Sequence, residues 1–336
     1  MEPNQVTALI VSTQPGLNEK VPSHAGSPLA PIAGKAVVSW IADAVVAASI
    51  RRVGVVAHDV GVDDRAELLD RSDSAVIEVV APRSNLTESV MDALSRLGPE
   101  LAMSDAAQLL LLPAEAPQIQ PDELRQLVMN HRRTGNDATL LATAEGTRTN
   151  TMIQRNDDGE ITSIHDVVVG GFAALVVRAS LLMPALRRAS ENSWEAGVPI
   201  REVAGVLEQL GHRVEVCEPD TSLETITSLA DRSPIEIELR DRITTKWIER
   251  GVSMPDPRQV TIDATVSIGQ GVQILPGSVL VGQTLIADGA TIGPNSHLVD
   301  ATIGARAVVP HSVVRAFEVP ARTDVTPFSI LGSESR

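Results

Sequence analysis

Short apolar runs alternate with amphipathic stretches from Val6 to about Glu218, and that alternation predicts an α/β domain. Candidate strands are residues 6–12, 53–58, 75–81, 108–113, 138–143 and 213–218. Residues 36–50 read as a helix rich in Ala and Val, with Trp40 on one face. Gln120-Pro-Asp-Glu123 opens a second helix: Pro121 suits the first turn, and Asp122 and Glu123 favour the positive end of the helix dipole. Leu124, Leu127, Val128 and His131 then share a face. Residues 151–155 and 160–164 flank Asn156-Asp-Asp-Gly159, a hairpin signal, and the strand pattern resumes at Gly170-Gly-Phe-Ala-Ala-Leu-Val-Val177.

Past residue 233 the pattern changes twice. Ile235, Leu239, Ile243 and Trp247 recur every four residues and Gly251 follows, which predicts a long helix over 234–249 joining two domains. From Thr261 the period is six: Ile262, Ile268, Ile274, Leu280, Ile286, Ile292 and Leu298, then after a one-residue slip Ile303 and Val309. Gly269, Gly277, Gly282, Gly289, Gly293 and Gly304 punctuate the turns. Such hexapeptides form a left-handed parallel β-helix in which each apolar residue points into a triangular prism. The spacing predicts roughly three coils. The expected boundaries are 1–232 for the α/β domain, 233–251 for the connecting helix, 252–318 for the β-helix and 319–336 for a tail.

Composition narrows the partners. The 336 residues suffice for two domains, but aromatic residues make up only 2% and there is no Tyr, so stacking platforms for bases or sugars are scarce. A formal net charge of -15 argues against nucleic acid and anionic membranes, whose counterions only Lys and Arg release. No window approaches the ~18 apolar residues of a membrane helix. The N-terminus lacks a signal-peptide pattern, so the expected location is cytoplasmic. The one cysteine, Cys217, lies in an apolar strand run and reads as packing rather than as a nucleophile.

The first strand, the segment Ser27-Pro-Leu-Ala-Pro-Ile-Ala-Gly-Lys-Ala-Val-Val38, the junction Gly251-Val-Ser-Met-Pro-Asp-Pro257 and the repeats together resemble one family. It is the bifunctional N-acetylglucosamine-1-phosphate uridylyltransferase/glucosamine-1-phosphate acetyltransferase, GlmU. The resemblance implies a Rossmann-like nucleotidyltransferase domain of GT-A type followed by a short left-handed β-helix. This chain reads as a degenerate homologue, truncated at its C-terminal end.

The family's functional residues are the ones that differ. Its first loop, Leu-Ala-Ala-Gly-x-Gly-Thr-Arg-Met, becomes Val11-Ser-Thr-Gln-Pro-Gly-Leu-Asn-Glu19. Ser12, Thr13 and Pro15 thus stand where glycine N–H groups and an Arg would meet a triphosphate, and Pro15 has no N–H to give. Ser27 takes the place of a family Lys, which leaves Lys20 or Lys35 as substitute cations. The uracil-reading segment becomes Pro82-Arg-Ser-Asn-Leu-Thr-Glu88, where Asn85 retains hydrogen-bonding capacity. The metal-binding Gly-Asp-Val-Pro becomes Ala114-Glu-Ala-Pro117, so Glu115 keeps a carboxylate. The second metal ligand, an Asn, falls on Thr227 without gaps, or on Ala230 next to Asp231. On the sugar side Thr151 replaces a close-approach glycine, Asp166 a Glu and Val169 an Asn, with Gly171 nearby.

The resemblance therefore implies a vestigial nucleotide or sugar-phosphate site at Ser12, Thr13, Lys20, Lys35, Asn85, Glu115, Thr151, Asp166 and Gly171. Mg²⁺ on Glu115 and Asp231 is expected only if turnover survives. The family's acetyltransferase residues lie on later coils than this chain has, and His297 and His311 read as exposed turn histidines. The resulting expectation is a pseudoenzyme serving as a trimeric scaffold, regulator or ligand sensor in amino-sugar and peptidoglycan-precursor metabolism. Its expected partners are further copies of itself, an authentic GlmU or another protein. The alternative is an active nucleotidyltransferase of altered specificity that makes an NDP-sugar from an NTP and a sugar 1-phosphate.

Overall fold

The structure, a computed structural model, describes residues 6–12, 31–56, 75–80, 86–99, 101, 104–142, 151–155, 161–166, 172–190, 200–218, 223–226 and 229–332. The chain divides into two compact units, Met1–Ala30 with Ala36–Arg232, and Pro31–Lys35 with Ser233–Arg336.

In chain order the elements up to the long helix are β1 (Val6–Val11), β2 (Pro31–Ile32), β3 (Lys35–Ala36), α1 (Val37–Ala47), β4 (Arg52–Val56), β5 (Val76–Val80), α2 (Leu86–Leu97), β6 (Gln108–Pro113), α3 (Pro121–Thr134), β7 (Ala138–Ala142), β8 (Thr151–Arg155), β9 (Ile161–Asp166), β10 (Phe172–Arg178), α4 (Ala179–Ser190), α5 (Ile200–Gln209), β11 (Val214–Cys217) and α6 (Leu229–Glu249). The first unit is built on a seven-stranded sheet of order β11-β7-β10-β6-β1-β4-β5. It is parallel except for β10, which runs antiparallel to β6 and β7.

Helices cover both faces, so the central strands are apolar throughout rather than alternating. Every residue of β1 is buried, and Leu109 to Leu112 of β6 are fully so. One core joins Leu9, Leu109, Leu111 and Leu175 to α2, α4 and α5 through Leu94, Leu186 and Leu207. The other joins Ile10, Leu110, Leu112 and Val176 to α1 and α3 through Ile41, Val45, Leu124 and Leu127. The expected helix at Gln120 forms as read. Glu123 Oε2 accepts from the Gln120 backbone N–H at 2.8 Å, Pro121 sits in the first turn, and Gly135 closes the helix in the left-handed region.

In the second unit the hexapeptide residues all turn inward: Ile262, Ile268, Ile274, Leu280, Ile286, Ile292, Leu298, Ile303 and Val309 are buried. Thr261–Ile262, Val279–Val281, His297–Val299, Val313–Arg315 and Ile330–Gly332 stack in parallel as one side of the β-helix. Ser267–Ile268, Leu285–Ile286, Thr302–Ile303 and Glu318–Val319 form the second side. Gln273–Ile274, Thr291–Ile292 and Val308–Val309 form the third.

Three boundaries differ from the sequence reading. The coils run past residue 318 to Gly332, where a tail was expected. The reason is a run of five-residue steps, Val309 to Val314 to Val319, that breaks the period of six before Val325 and Leu331 restore it. The long helix begins at Leu229, so Pro234 lies inside it and forgoes one i→i−4 hydrogen bond rather than opening it. Residues 31–35 belong with the β-helix: Ala264 N–H donates to Ala33 O at 2.8 Å, and Gly34 turns at φ 86 directly against Asp263. No local pattern announces that pairing.

Candidate functional site

The chain steps outward from β1 to β4 and β5, then returns to place β6 on the other side of β1. Ligands of open α/β sheets bind at such a switch point, beyond the carboxyl ends of the strands. Ser12 follows β1 and Glu115 follows β6, so adjacent parallel strands deliver both to that spot. Ser12 Oγ donates to Glu115 Oε1 at 2.8 Å. The backbone locks the pair in place, with Ala114 N–H on Val11 O and Ser12 N–H on Val56 O, both at 2.9 Å. Glu115 is only 1% exposed, and its neighbours Ala114, Ala116 and Pro117 are buried as well.

A second segment closes over this loop. Ile226 N–H donates to Glu115 O at 2.9 Å, and Glu224 N–H donates to the Gln118 side-chain Oε1 at 2.8 Å. Leu223 and Ile226 are each 2% exposed, which anchors the segment by burial. The chain thus passes beside Glu115 one residue before Thr227, the position of the family's second metal ligand without gaps. Thr227 itself lies outside the described residues. Ala230 and Asp231 sit in the first turn of α6.

Thr151 and Asp166 face each other as register partners at the open end of the β8–β9 hairpin, so the structure brings the two sugar-side positions together. Lys35 lies on β3, in the segment that belongs to the β-helix unit. Thr13, Pro15, Lys20, Asn85, Val169 and Gly171 lie outside the described residues. Among the described residues no group of three or more His, Cys, Asp or Glu side chains gathers as a metal site.

Two features were not legible in the sequence. Gln118 is 4% exposed and holds Glu224, but a lone Gln in a loop carries no signal of that role. Thr87, in the first turn of α2, is 8% exposed, and its Oγ1 has no hydrogen-bond partner among the described residues. A buried orphan hydroxyl calls for a water or a ligand.

The sequence profile of the MobA-like NTP transferase domain matches residues 27–214, more than half of the chain. The chain belongs to this family. The protein named Bifunctional protein GlmU from Caldanaerobacter subterraneus subsp. tengcongensis is 28% identical over 334 residues, covering 95% of this chain and 71% of that protein. The Bifunctional protein GlmU of Streptomyces avermitilis is 29% identical over 243 residues, covering 68% of this chain and half of its own length. Among solved structures, 4-diphosphocytidyl-2C-methyl-D-erythritolsynthase from Anaerococcus prevotii aligns with 70% of this chain at 17% identity and a TM-score of 0.48. The resemblance to GlmU read from the residues is therefore present along nearly the whole chain. In this MobA-like NTP transferase domain Glu115 lies at the switch point of the sheet, buried and bonded to Ser12.

Elsewhere in the domain, His131 is 2% exposed and meets Thr139 Oγ1 at 2.9 Å through Nδ1. Burial, reinforced by Arg178 and Arg132, lowers its pKa from 6.5 to about 4. Cys217 is half-buried and accepts from Asn130 Nδ2 at 2.8 Å, and burial raises its thiol pKa, as suits a packing residue. His297 departs from the expected turn position and lies on a strand, facing outward and half-buried.

Proposed function

We propose that this chain is a GlmU-like protein that keeps the nucleotidyltransferase scaffold without its turnover. In this reading it acts as a self-associating scaffold or ligand sensor in cytoplasmic amino-sugar and envelope-precursor metabolism, alone or with an authentic GlmU. One observation carries it: the carboxylate at the metal position is buried and accepts the hydroxyl of Ser12. Mg²⁺ delivered with a nucleotide needs near-ideal octahedral geometry at ~2.1 Å and a carboxylate open to the substrate phosphates. Glu115 is closed to solvent, so the residues present fit that ion poorly.

The sequence losses point the same way. Phosphoryl transfer depends on positioning and charge stabilisation, and each missing cation or ligand costs on the order of 10²–10³ in rate. Loss of the loop Arg, the Lys replaced by Ser27 and the Asn replaced at Thr227 or Ala230 leaves little turnover even without additivity. No helix among the described residues is long and apolar enough to cross a membrane.

A second reading, a nucleotide or sugar-phosphate binder without turnover, is favoured by the orphan hydroxyl of Thr87. One experiment separates these readings from an active enzyme. The protein is incubated with each NTP, a panel of sugar 1-phosphates and Mg²⁺, with pyrophosphate and melting temperature both followed. The expected result is no pyrophosphate above a Glu115→Ala control. A ligand at 100 times its Kd adds ~2.7 kcal/mol of stability, so a rise in melting temperature without pyrophosphate selects the binder. Release that Glu115→Ala abolishes rejects the non-catalytic reading.

A further inference from the structure

The sheet of the first unit ends at β11, which among the described residues pairs only with β7. Side chains alternate along this edge strand. Val214 and Val216 join the core under α4 and α5, whereas Cys217 packs toward α3 beside its register partner Leu141. The helix α3 lies over β7 and leaves the last strand uncovered on that face. A hollow of about 500 Å³ opens between them. Leu127 and Leu141 are its buried apolar wall, Cys217 lies half-buried in it, and Met129, 69% exposed, stands at its rim. Neither Ser12 nor Glu115 lines it.

Polar groups on both walls are held in place. Asn130 Nδ2 donates to Cys217 Sγ at 2.8 Å, and the Arg133 guanidinium donates to Asn130 Oδ1 at 2.7 Å, which ties the one cation of the lining back onto its own helix. On the opposite wall Asn136 Nδ2 donates to Glu215 Oε2 at 2.5 Å and fixes that carboxylate. Glu215 Oε1 and the exposed carboxylate of Glu218 have no partner among the described residues. The hollow thus pairs an apolar wall with carboxylate oxygens that still have bonds to accept. Its volume falls in the ~300–1,000 Å³ range of small-molecule sites, which combine apolar walls with a few placed polar groups.

We infer that this hollow binds a small organic amine, with an apolar or aromatic body against Leu127, Leu141 and Met129 and its ammonium group between Glu215 and Glu218. An anion is disfavoured there, because it would face the carboxylates of Glu123, Glu215 and Glu218 with only the engaged Arg133 to offset them. A neutral ligand would take up the apolar wall but leave the free carboxylate oxygens without a charged donor. Met129 suits bodies of varied shape, since its thioether is flexible and polarisable. The site is additional to the cleft at Glu115, and the question of turnover there has no bearing on it.

Cys217 is the one cysteine of the chain, so its reaction with a thiol reagent reports on this hollow alone. The full chain is treated with dipyridyl disulfide, a neutral reagent that amines do not consume, and the released thiopyridone is followed by absorbance. Phenethylamine, phenethyl alcohol or hydrocinnamate is present at millimolar concentration, where fragments of this size bind. Phenethylamine is expected to slow the reaction ~10-fold at saturation, which corresponds to a hollow that is nine-tenths occupied by the amine. The alcohol and the carboxylate are expected to leave the rate unchanged. Glu215→Gln combined with Glu218→Gln should weaken the amine's binding ~10-fold, as loss of charge-assisted hydrogen bonds does. Glu218→Gln alone, at an exposed position that folding does not depend on, should weaken it ~3-fold. Melting temperatures of both variants keep lost binding apart from lost folding, and the single variant decides if the double one is destabilised. No protection by any probe, equal protection by the alcohol or the carboxylate, or amine protection that the glutamine variants leave intact overturns the inference.

Discussion

At the scale of single residues, two buried polar groups show how position alters chemistry. Ser12 and Glu115 are separated by over a hundred residues in sequence, yet neighbouring parallel strands end beside each other and make them partners. The candidate carboxylate was legible because Ala114-Glu-Ala-Pro117 resembles the family's metal-binding Gly-Asp-Val-Pro. Its bond to Ser12 was not, since no spacing encodes a contact across two strands. His131 is the converse case: its place on the apolar face of α3 was legible and its protonation was not. Because the folded pKa lies near 4 and the unfolded value near 6.5, the unfolded chain takes the proton first. Stability is therefore unaffected above the unfolded value, falls as the pH drops through that window, and has lost the full contribution below about 4. After allowance for solvent screening the loss is on the order of 2 kcal/mol. Urea midpoints between pH 7 and 4 should show that decline, and His131→Gln should flatten it. An equal slope in the variant would assign the acid sensitivity to other groups.

At the scale of elements, the β-helix was legible wherever its steps were six residues long and illegible where they shortened. The corner residues explain how the coils continue. Gly277, Asn295, His311 and Phe328 follow Pro276, Pro294, Pro310 and Pro327 and precede Ser278, Ser296, Ser312 and Ser329. All four corner residues turn with positive φ, and each serine hydroxyl donates to a nearby backbone carbonyl. That Pro-x-Ser repeat marks the corner more faithfully than the apolar period does. Gly304 shows a different requirement, since a Cβ there would press directly on the Ala321 backbone of the next coil. Gly304→Ala is expected to destabilise the β-helix by ~1–3 kcal/mol, as overpacking does. Chemical denaturation monitored through the β-helix would read this, and an unchanged midpoint would mean the coils shift apart at no cost.

At the scale of the whole molecule, the two units each hold a core of their own, leucine-rich around the sheet and isoleucine-rich inside the prism. Independent cores predict two thermal transitions. Scanning calorimetry should resolve them, or give a calorimetric enthalpy well above the van't Hoff value, and Gly304→Ala should move only one. A single transition with equal enthalpies would show that the units melt together. The division by sequence position was close but not complete, because residues 31–35 leave the first unit to pair with the first coil.

Periodicity by itself determined most strands of the sheet, the helices after β1, at Gln120 and before the β-helix, and the prism, because burial demands a repeat that matches the geometry of each element. Glu115 was marked by the resemblance of Ala114-Glu-Ala-Pro117 to the family's metal-binding segment, and the apolar run before it set it just beyond the end of a strand. Tertiary structure alone decided that Ser12 closes on Glu115, that residues 223–226 lie over that loop, and that residues 31–35 join the β-helix. These depend on which chain ends meet in space, and hydrogen bonds between distant segments leave no period in the chain that makes them.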